Sequence, residues 1–283
     1  MPRVRTELSS GPSVVEYLHT GSGEGVVLVH GTGATPDGNF GHLIDVLRPR
    51  HTVVAPFLSG AGTTTDTGAP LTVGDLARQV TAAADDAGLT EFHLVGHSLG
   101  ACVAAAAAAT SGDRVRSLVL HAGWATSDTR MAAQFALWRR LLAADTGLLA
   151  RMVLLTAFRA TAPHFRDPAA FEREVAAFAA MFRPEGTARQ LRLDEEVDIA
   201  PLLPRVTAPS LVVAGTDDTV VPPYHQERMA ELIPGARLTH VAGGHAFPFE
   251  APERFAELVA GFIASRRPQR TPRPQLPDAV LPF

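Results

Sequence analysis

The stretch Phe92-His93-Leu94-Val95-Gly96-His97-Ser98-Leu99-Gly100-Ala101 constrains this chain more than any other: an apolar run meets a serine between two glycines and then becomes an alanine-rich segment. The pattern predicts a strand, a sharp turn and a helix in quick succession. A serine at the apex of such a turn takes a strained backbone angle, and the positions two residues to either side lie too close for side chains, so both are glycine. The hydroxyl of Ser98 is then presented above the sheet. Free N–H groups of the helix that starts near Leu99 face the same point and offer positive potential to a developing oxyanion. A Gly-x-Ser-x-Gly match alone carries little weight; its place after a buried strand and before a helix is what makes it informative.

On both sides of that turn, strand and helix signals alternate. Residues 3–8 and 13–19 read as two opening strands joined across Ser9-Ser10-Gly11-Pro12 at the edge of a sheet. Val26-Val27-Leu28-Val29 is apolar on both faces, as a central parallel strand must be, and runs into His30-Gly31-Thr32-Gly33. A helix over 38–48, a strand Thr52–Pro56, an amphipathic helix over 72–87 and a sixth strand Val115–Leu120 follow. Such alternation specifies a mostly parallel sheet with right-handed crossovers.

Between Trp124 and Pro204 the rhythm breaks. Helical stretches near 128–143, 147–158 and 168–182 carry large apolar residues without a convincing strand among them. These aromatics pack a small core of their own or cover Ser98, and Trp124, Phe135 and Trp138 are the candidates for lining an apolar pocket. Order resumes with Ser210–Ala214, then Gly215-Thr216-Asp217-Asp218-Thr219-Val220-Val221-Pro222, a helix over 224–233, a strand Arg237–Val241, Ala242-Gly243-Gly244-His245 and a last helix over 252–264. Residues 266–283 are rich in proline and arginine and read as a tail lying on the body or solvated.

At 283 residues and 46% hydrophobic, the chain suits one large domain over 1–265 with an insertion at 124–204. A net charge of −4 gives no basic face for nucleic acid, and no apolar run approaches the roughly eighteen residues of a membrane span. All 25 basic residues are arginine, so lysine Schiff-base chemistry, a pyridoxal anchor and a P-loop are excluded. Cys102 is the sole cysteine and reads as a buried helix-packing residue; no His/Cys/Asp cluster has metal-ligand spacing, and neither metal nor cofactor is expected. The amino terminus lacks a signal-peptide core, which places the protein in the cytoplasm.

A serine hydroxyl needs a base within hydrogen-bond reach and a carboxylate to offset the base's charge. His245 suits the base, because Gly243-Gly244 frees the backbone to place its ring. His97 abuts the serine and reads as packing or pocket lining, while His30 and His121 read as structural. Either Asp217 or Asp218 could serve as the acid.

Over residues 13–264 these motifs resemble the α/β-hydrolases with a helical cap inserted after the sixth strand. The resemblance implies the α/β-hydrolase fold, an eight-stranded and mostly parallel sheet flanked by helices, with the order serine, aspartate, histidine along the chain. It implies Thr32 as the second oxyanion N–H donor beside Leu99. The family spacing of glycine, two residues, aspartate and a proline four further on selects Asp218, with Gly215 and Pro222 as the flanking positions. Phe57 stands where the family carries an aspartate that anchors the following loop. A serine at the elbow argues against the epoxide hydrolases and haloalkane dehalogenases of this fold, which use aspartate there. What remains is hydrolysis of a carboxylic ester, lactone or thioester of a small, largely apolar substrate through an acyl-serine, with acyl transfer, cyclisation or a non-turnover receptor as the alternatives.

Overall fold

The computed structural model describes residues 1–266. Eight strands form one sheet in the order β1-β2-β4-β3-β5-β6-β7-β8. Strands β1 (Arg3–Leu8) and β2 (Gly11–Gly21) pair antiparallel, and β2 pairs antiparallel with β4 (His51–Pro56). All later neighbours, β3 (Glu24–Val29), β5 (Phe92–His97), β6 (Val115–His121), β7 (Ser210–Gly215) and β8 (Arg237–Val241), are parallel. The first hairpin is tighter than the sequence suggested: Gly11 and Pro12 already pair with Leu8 and Glu7, leaving only Ser9-Ser10 as the turn. Only β1 of that pair lies at the edge, because β2 continues to Gly21 to pair with β4.

Both faces of the sheet are covered, which is why the central strands are apolar at every position. Val27, Val29, Leu94, Leu118 and Val212 pack on the face that carries α2 (Val73–Asp86) and α3 (Leu99–Ser111), while Val26, Leu28, Val95, Val119 and Val213 pack on the opposite face. That second face is closed by α1 (Pro36–Leu47) and, later in the chain, by the terminal helix. Helix α3 is buried from Leu99 to Ala109, and its run of alanines lets it sit between the sheet, α2 and the short helical turn Leu203–Arg205.

Four helices separate β6 from β7: α4 (Thr129–Ala144), α5 (Thr146–Ala157), α6 (Pro168–Met181) and α7 (Pro184–Asp194). Sequence reading anticipated the first three and missed α7. Its buried positions Thr187, Gln190, Leu191 and Asp194 recur at helical spacing but are mostly polar, so no apolar stripe announced it. Helices α8 (Pro223–Leu232), the short α9 (Phe247–Glu250) and α10 (Pro252–Ala264) complete the chain. Residues 267–283, which include nearly all of the proline- and arginine-rich tail, lie outside the described residues. No helix among the described residues is long and apolar enough to cross a membrane.

The turn between β5 and α3 shows why its two glycines are required. An added Cβ at Gly96 would overlap the carbonyl oxygen of Gly100, and one at Gly100 would overlap the carbonyls of Val29 and His30. Gly100→Ala is expected to cost about 3 kcal/mol or more, since backbone cannot yield as a side chain does. Gly261→Ala, at an exposed helical position with nothing within 4 Å of the new Cβ, is expected to stabilise by about 1 kcal/mol. Urea unfolding of both variants checks the pair.

Candidate active site

Ser98 occupies the turn with φ 57° and ψ −126°, a conformation rare for a residue with a side chain. Its N–H donates to the His121 carbonyl at 2.9 Å and its own carbonyl accepts from Ala101 at 2.8 Å, so both strand and helix grip the strained residue. The hydroxyl lies 2.9 Å from His245 Nε2, and His245 Nδ1 lies 3.0 Å from Asp218 Oδ2. With a carboxylate beside Nδ1, that nitrogen carries the proton, and Nε2 is left to accept from the Ser98 hydroxyl. Asp218 Oδ1 accepts from the N–H groups of Val220 and Val221 at 3.0 and 2.8 Å, which fixes the carboxyl group in its loop. Asp217, the rival acid, is exposed, and its Oδ2 accepts from the Thr216 hydroxyl at 3.5 Å rather than from His245.

The loop bearing His245 is secured by a residue that sequence reading did not single out. The Glu250 carboxylate accepts from the N–H of Gly244 at 3.0 Å and from the N–H of Arg159 at 2.5 Å, so the loop is tied to the segment after α5. Ala246 adds a bond to the Ala157 carbonyl at 2.8 Å.

Thr32 and its neighbours face Ser98 from the end of β3; a Cβ on Gly31 would come within 3.0 Å of the Ser98 Cβ. Asn39 Oδ1 accepts from the Gly31 N–H at 2.7 Å, Gln190 Oε1 from the Gly33 N–H at 2.8 Å, and Asp194 Oδ2 from the Thr32 hydroxyl at 2.6 Å. The Gly31 and Gly33 N–H groups and the Thr32 hydroxyl are thus engaged, while the N–H of Thr32 and the N–H of Leu99 meet no acceptor among the described residues. Phe57 stands in place of the expected aspartate without loosening the neighbouring loop, because His30 Nε2 accepts from Leu58 N–H at 3.0 Å and Gln79 Oε1 from Ser59 N–H at 3.0 Å.

Ser98 and His245 open onto a cavity of about 80 Å³ whose wall is chiefly apolar: Phe135, Trp138, Leu149, Val153, Phe178 and Phe249 among others. Two of the three pocket candidates therefore line it. Trp124 does not; it is fully buried beneath Phe135, with Nε1 donating to Ser127 Oγ at 2.8 Å. The direction of its indole depends on the fold of the 124–127 segment, where Ser127 accepts its N–H. Thr187 and Asp194 on α7 also line the cavity and were not anticipated, for the same reason that α7 itself was not.

His97 proves to be both packing and lining. Its ring lies 5.2 Å from that of His245 and stacks on His121, with the two Nδ1 atoms 2.9 Å apart. One of those nitrogens must donate and the other accept, so the two rings cannot both be protonated, and burial favours the neutral form of each. Burial pushes His97 well below the ordinary imidazole range, His121 to about 3 and His30 to about 4. Cys102 is buried with its thiol pushed well above the usual range by desolvation, and its Sγ donates to the Trp124 carbonyl at 3.3 Å. Among the described residues, no cluster of three or more histidine, cysteine or acidic side chains could hold a metal ion.

A sequence profile for the alpha/beta hydrolase fold matches residues 25–252. The chain is 38% identical over 259 residues to a pyrrolizixenacetamide deacetylase of Xenorhabdus hominickii, covering 90% of this chain and 96% of that protein. It is 30% identical over 262 residues to a putative carbamate hydrolase, RutD, of Azorhizobium caulinodans, covering 87% and 97%. Among solved structures, a thermophilic esterase from Thermogutta terrifontis superposes with a TM-score of 0.81 at 26% identity, covering 95% of this chain and 100% of that one.

The buried histidines set the acid limit of the fold. In the unfolded chain they titrate near pH 6.5, so it binds protons that the folded state refuses, and stability falls as pH drops from about 6.5 toward 4. Asp194, whose carboxyl burial pushes up to about 8, works in the opposite sense over pH 4–8. The imidazoles outnumber that carboxyl, His225 being lowered by burial as well, so the net effect near pH 5 is a loss of about 1 kcal/mol or more per pH unit as pH falls. Urea unfolding at pH 7, 6 and 5 reads it; equal midpoints would show that these rings are protonated in the fold.

Proposed function

Because the chain belongs to the α/β-hydrolase family, we propose that it is a serine hydrolase in which Ser98 attacks the carbonyl carbon of a small, largely apolar carboxylic ester, lactone or thioester. The observation that carries this reading is the unbroken hydrogen-bonded line from Ser98 Oγ through His245 to Asp218, at 2.9 and 3.0 Å, at the floor of an apolar cavity. His245 takes the Ser98 proton as the hydroxyl oxygen bonds to carbon. Asp218 holds the ring in that tautomer and stabilises the imidazolium. The N–H groups of Thr32 and Leu99 receive the oxyanion, a contribution that for one donor is typically worth about a hundred- to a thousand-fold in rate. His245 returns its proton to the leaving group, and water then attacks the acyl-serine by the reverse route. Residues 1–265 form the catalytic unit in this reading, and the helices within 124–204 are its cap, excluding water and shaping the acyl site.

Amide deacylation is a second reading. It is favoured by the 38% identity to the deacetylase, whose name specifies an acetamide. The same line of residues would serve, with His245 protonating an amine in place of an alcohol.

Fluorophosphonate labelling together with acid release from p-nitrophenyl esters, lactones, acyl thioesters and N-acetyl amines tests the proposal. Wild-type protein is expected to take the label on Ser98 and to release acid steadily, which separates hydrolysis from acyl transfer, cyclisation and ligand binding without turnover. Ser98→Ala should lose both. Asp218→Asn should lower kcat by about 10⁴, while Asp217→Asn changes it by less than about threefold. An unlabelled wild-type serine, or the reverse order of the two aspartate variants, overturns the assignment.

A further inference from the structure

Three residues that line the cavity hold a buried polar atom with no hydrogen-bond partner among the described residues: Trp138 Nε1, Thr187 Oγ1 and Asp194 Oδ1. Buried polar atoms are rarely left in this state, and here three of them share the wall of one mostly apolar cavity with Ser98. Asp194 is 1% exposed. Its other oxygen, Oδ2, is already taken by the Thr32 hydroxyl at 2.6 Å, which orients the carboxyl group and leaves Oδ1 as the group on offer.

We propose that Asp194 is a specificity-determining residue whose Oδ1 hydrogen-bonds an acceptor oxygen of the substrate other than the scissile carbonyl, so that the preferred substrate is an acyl compound bearing a second carbonyl or ether oxygen. The inference rests on the hydrolase reading above and deepens it. The direction of the bond follows from the company Asp194 keeps. An indole N–H can only donate, a threonine hydroxyl can donate, and the complement of such a wall is an acceptor. Burial first, and the charge of Glu195 as well, push the Asp194 carboxyl up to about 8, so at neutral pH its unengaged oxygen carries a proton to donate. The partner lies close to the reacting carbonyl, since Asp194 holds the same Thr32 whose N–H is assigned to the oxyanion. Thr187 projects from the same face of α7 two turns earlier, and away from the end that carries Thr32, Asn39, His97, Ser98 and His245 the cavity is lined chiefly by hydrocarbon and aromatic carbon. A purely hydrocarbon acyl group would leave all three donors buried and unpaired; one with a well-placed oxygen would not.

The experiment compares each oxygen-bearing ester with its hydrocarbon isostere. p-Nitrophenyl ethoxyacetate and 3-methoxypropanoate are set against p-nitrophenyl pentanoate, p-nitrophenyl 4-oxopentanoate against p-nitrophenyl 4-methylpentanoate, and 2-methoxyethyl butanoate against butyl butanoate, each normalised to its hydroxide rate. In wild-type protein at least one oxygen-bearing ester is expected to gain about tenfold in kcat/KM over its isostere. Asp194→Leu should abolish that gain for the same ester. Asp194→Asn, whose amide N–H replaces the acid O–H while its oxygen still accepts from Thr32, should keep it within about threefold. Asp194→Ala serves the same comparison if the leucine variant does not fold. A wild-type protein without preference for any oxygen-bearing ester overturns the inference. So does a leucine variant that slows every ester equally, since Asp194 would then act only by holding Thr32. Failure of the hydrolase reading looks different: wild-type protein would release no acid from any ester and take no fluorophosphonate on Ser98.

Discussion

The backbone of Ser98 is held in a conformation that costs on the order of 1–3 kcal/mol for a residue with a side chain, and the surrounding packing keeps it there. The hydrogen bond to His121 anchors it to β6, the bond from Ala101 starts α3, and α3 is buried along eleven residues from Leu99 to Ala109. Gly96 and Gly100 allow that helix to enter backbone contact with β5 and with the carbonyls at the end of β3. No residue with a Cβ fits either position. One strained residue therefore projects the hydroxyl toward His245, leaves the Leu99 N–H without an internal acceptor, and brings the Thr32 loop alongside.

Around the line from Ser98 to Asp218, the molecule keeps charge scarce. His97 and His121 stack within reach of His245 as neutral rings, because burial disfavours their protonated forms. A cation in either place would oppose the imidazolium that the proposed reaction forms at His245. Neutral imidazoles fill the space and transmit a fixed hydrogen bond instead.

Helix α7 links the layer of helices after β6 to the loops at the strand ends. Gln190 bridges two of those loops, accepting from Gly33 and donating to the Ser59 carbonyl, and Asp194 one turn later accepts from Thr32. Gln79 holds Ser59 from the other side. These bonds stand in for the loop-anchoring aspartate whose place Phe57 occupies. A displacement of α7 would consequently move the proposed oxyanion donors as well as the wall of the cavity.

The order of strands and helices, the strand-turn-helix at Ser98 and the candidate His245 were legible in the residues alone, because apolar periodicity and glycine spacing are local consequences of burial and backbone sterics, whereas the choice of Asp218 over Asp217 came from the spacing of the family that the chain resembles. Helix α7 was not legible, because it buries Gln190 and Asp194 through hydrogen bonds to residues more than a hundred positions away in the chain. The same limit applied to Trp124, whose composition suited a pocket but whose indole turns inward to Ser127. Sequence by itself determined the alternation of strands and helices and on which strand ends the candidate side chains sit. Only the tertiary structure decided which polar groups remain unpaired in the cavity, since that depends on distances between elements that no local pattern encodes.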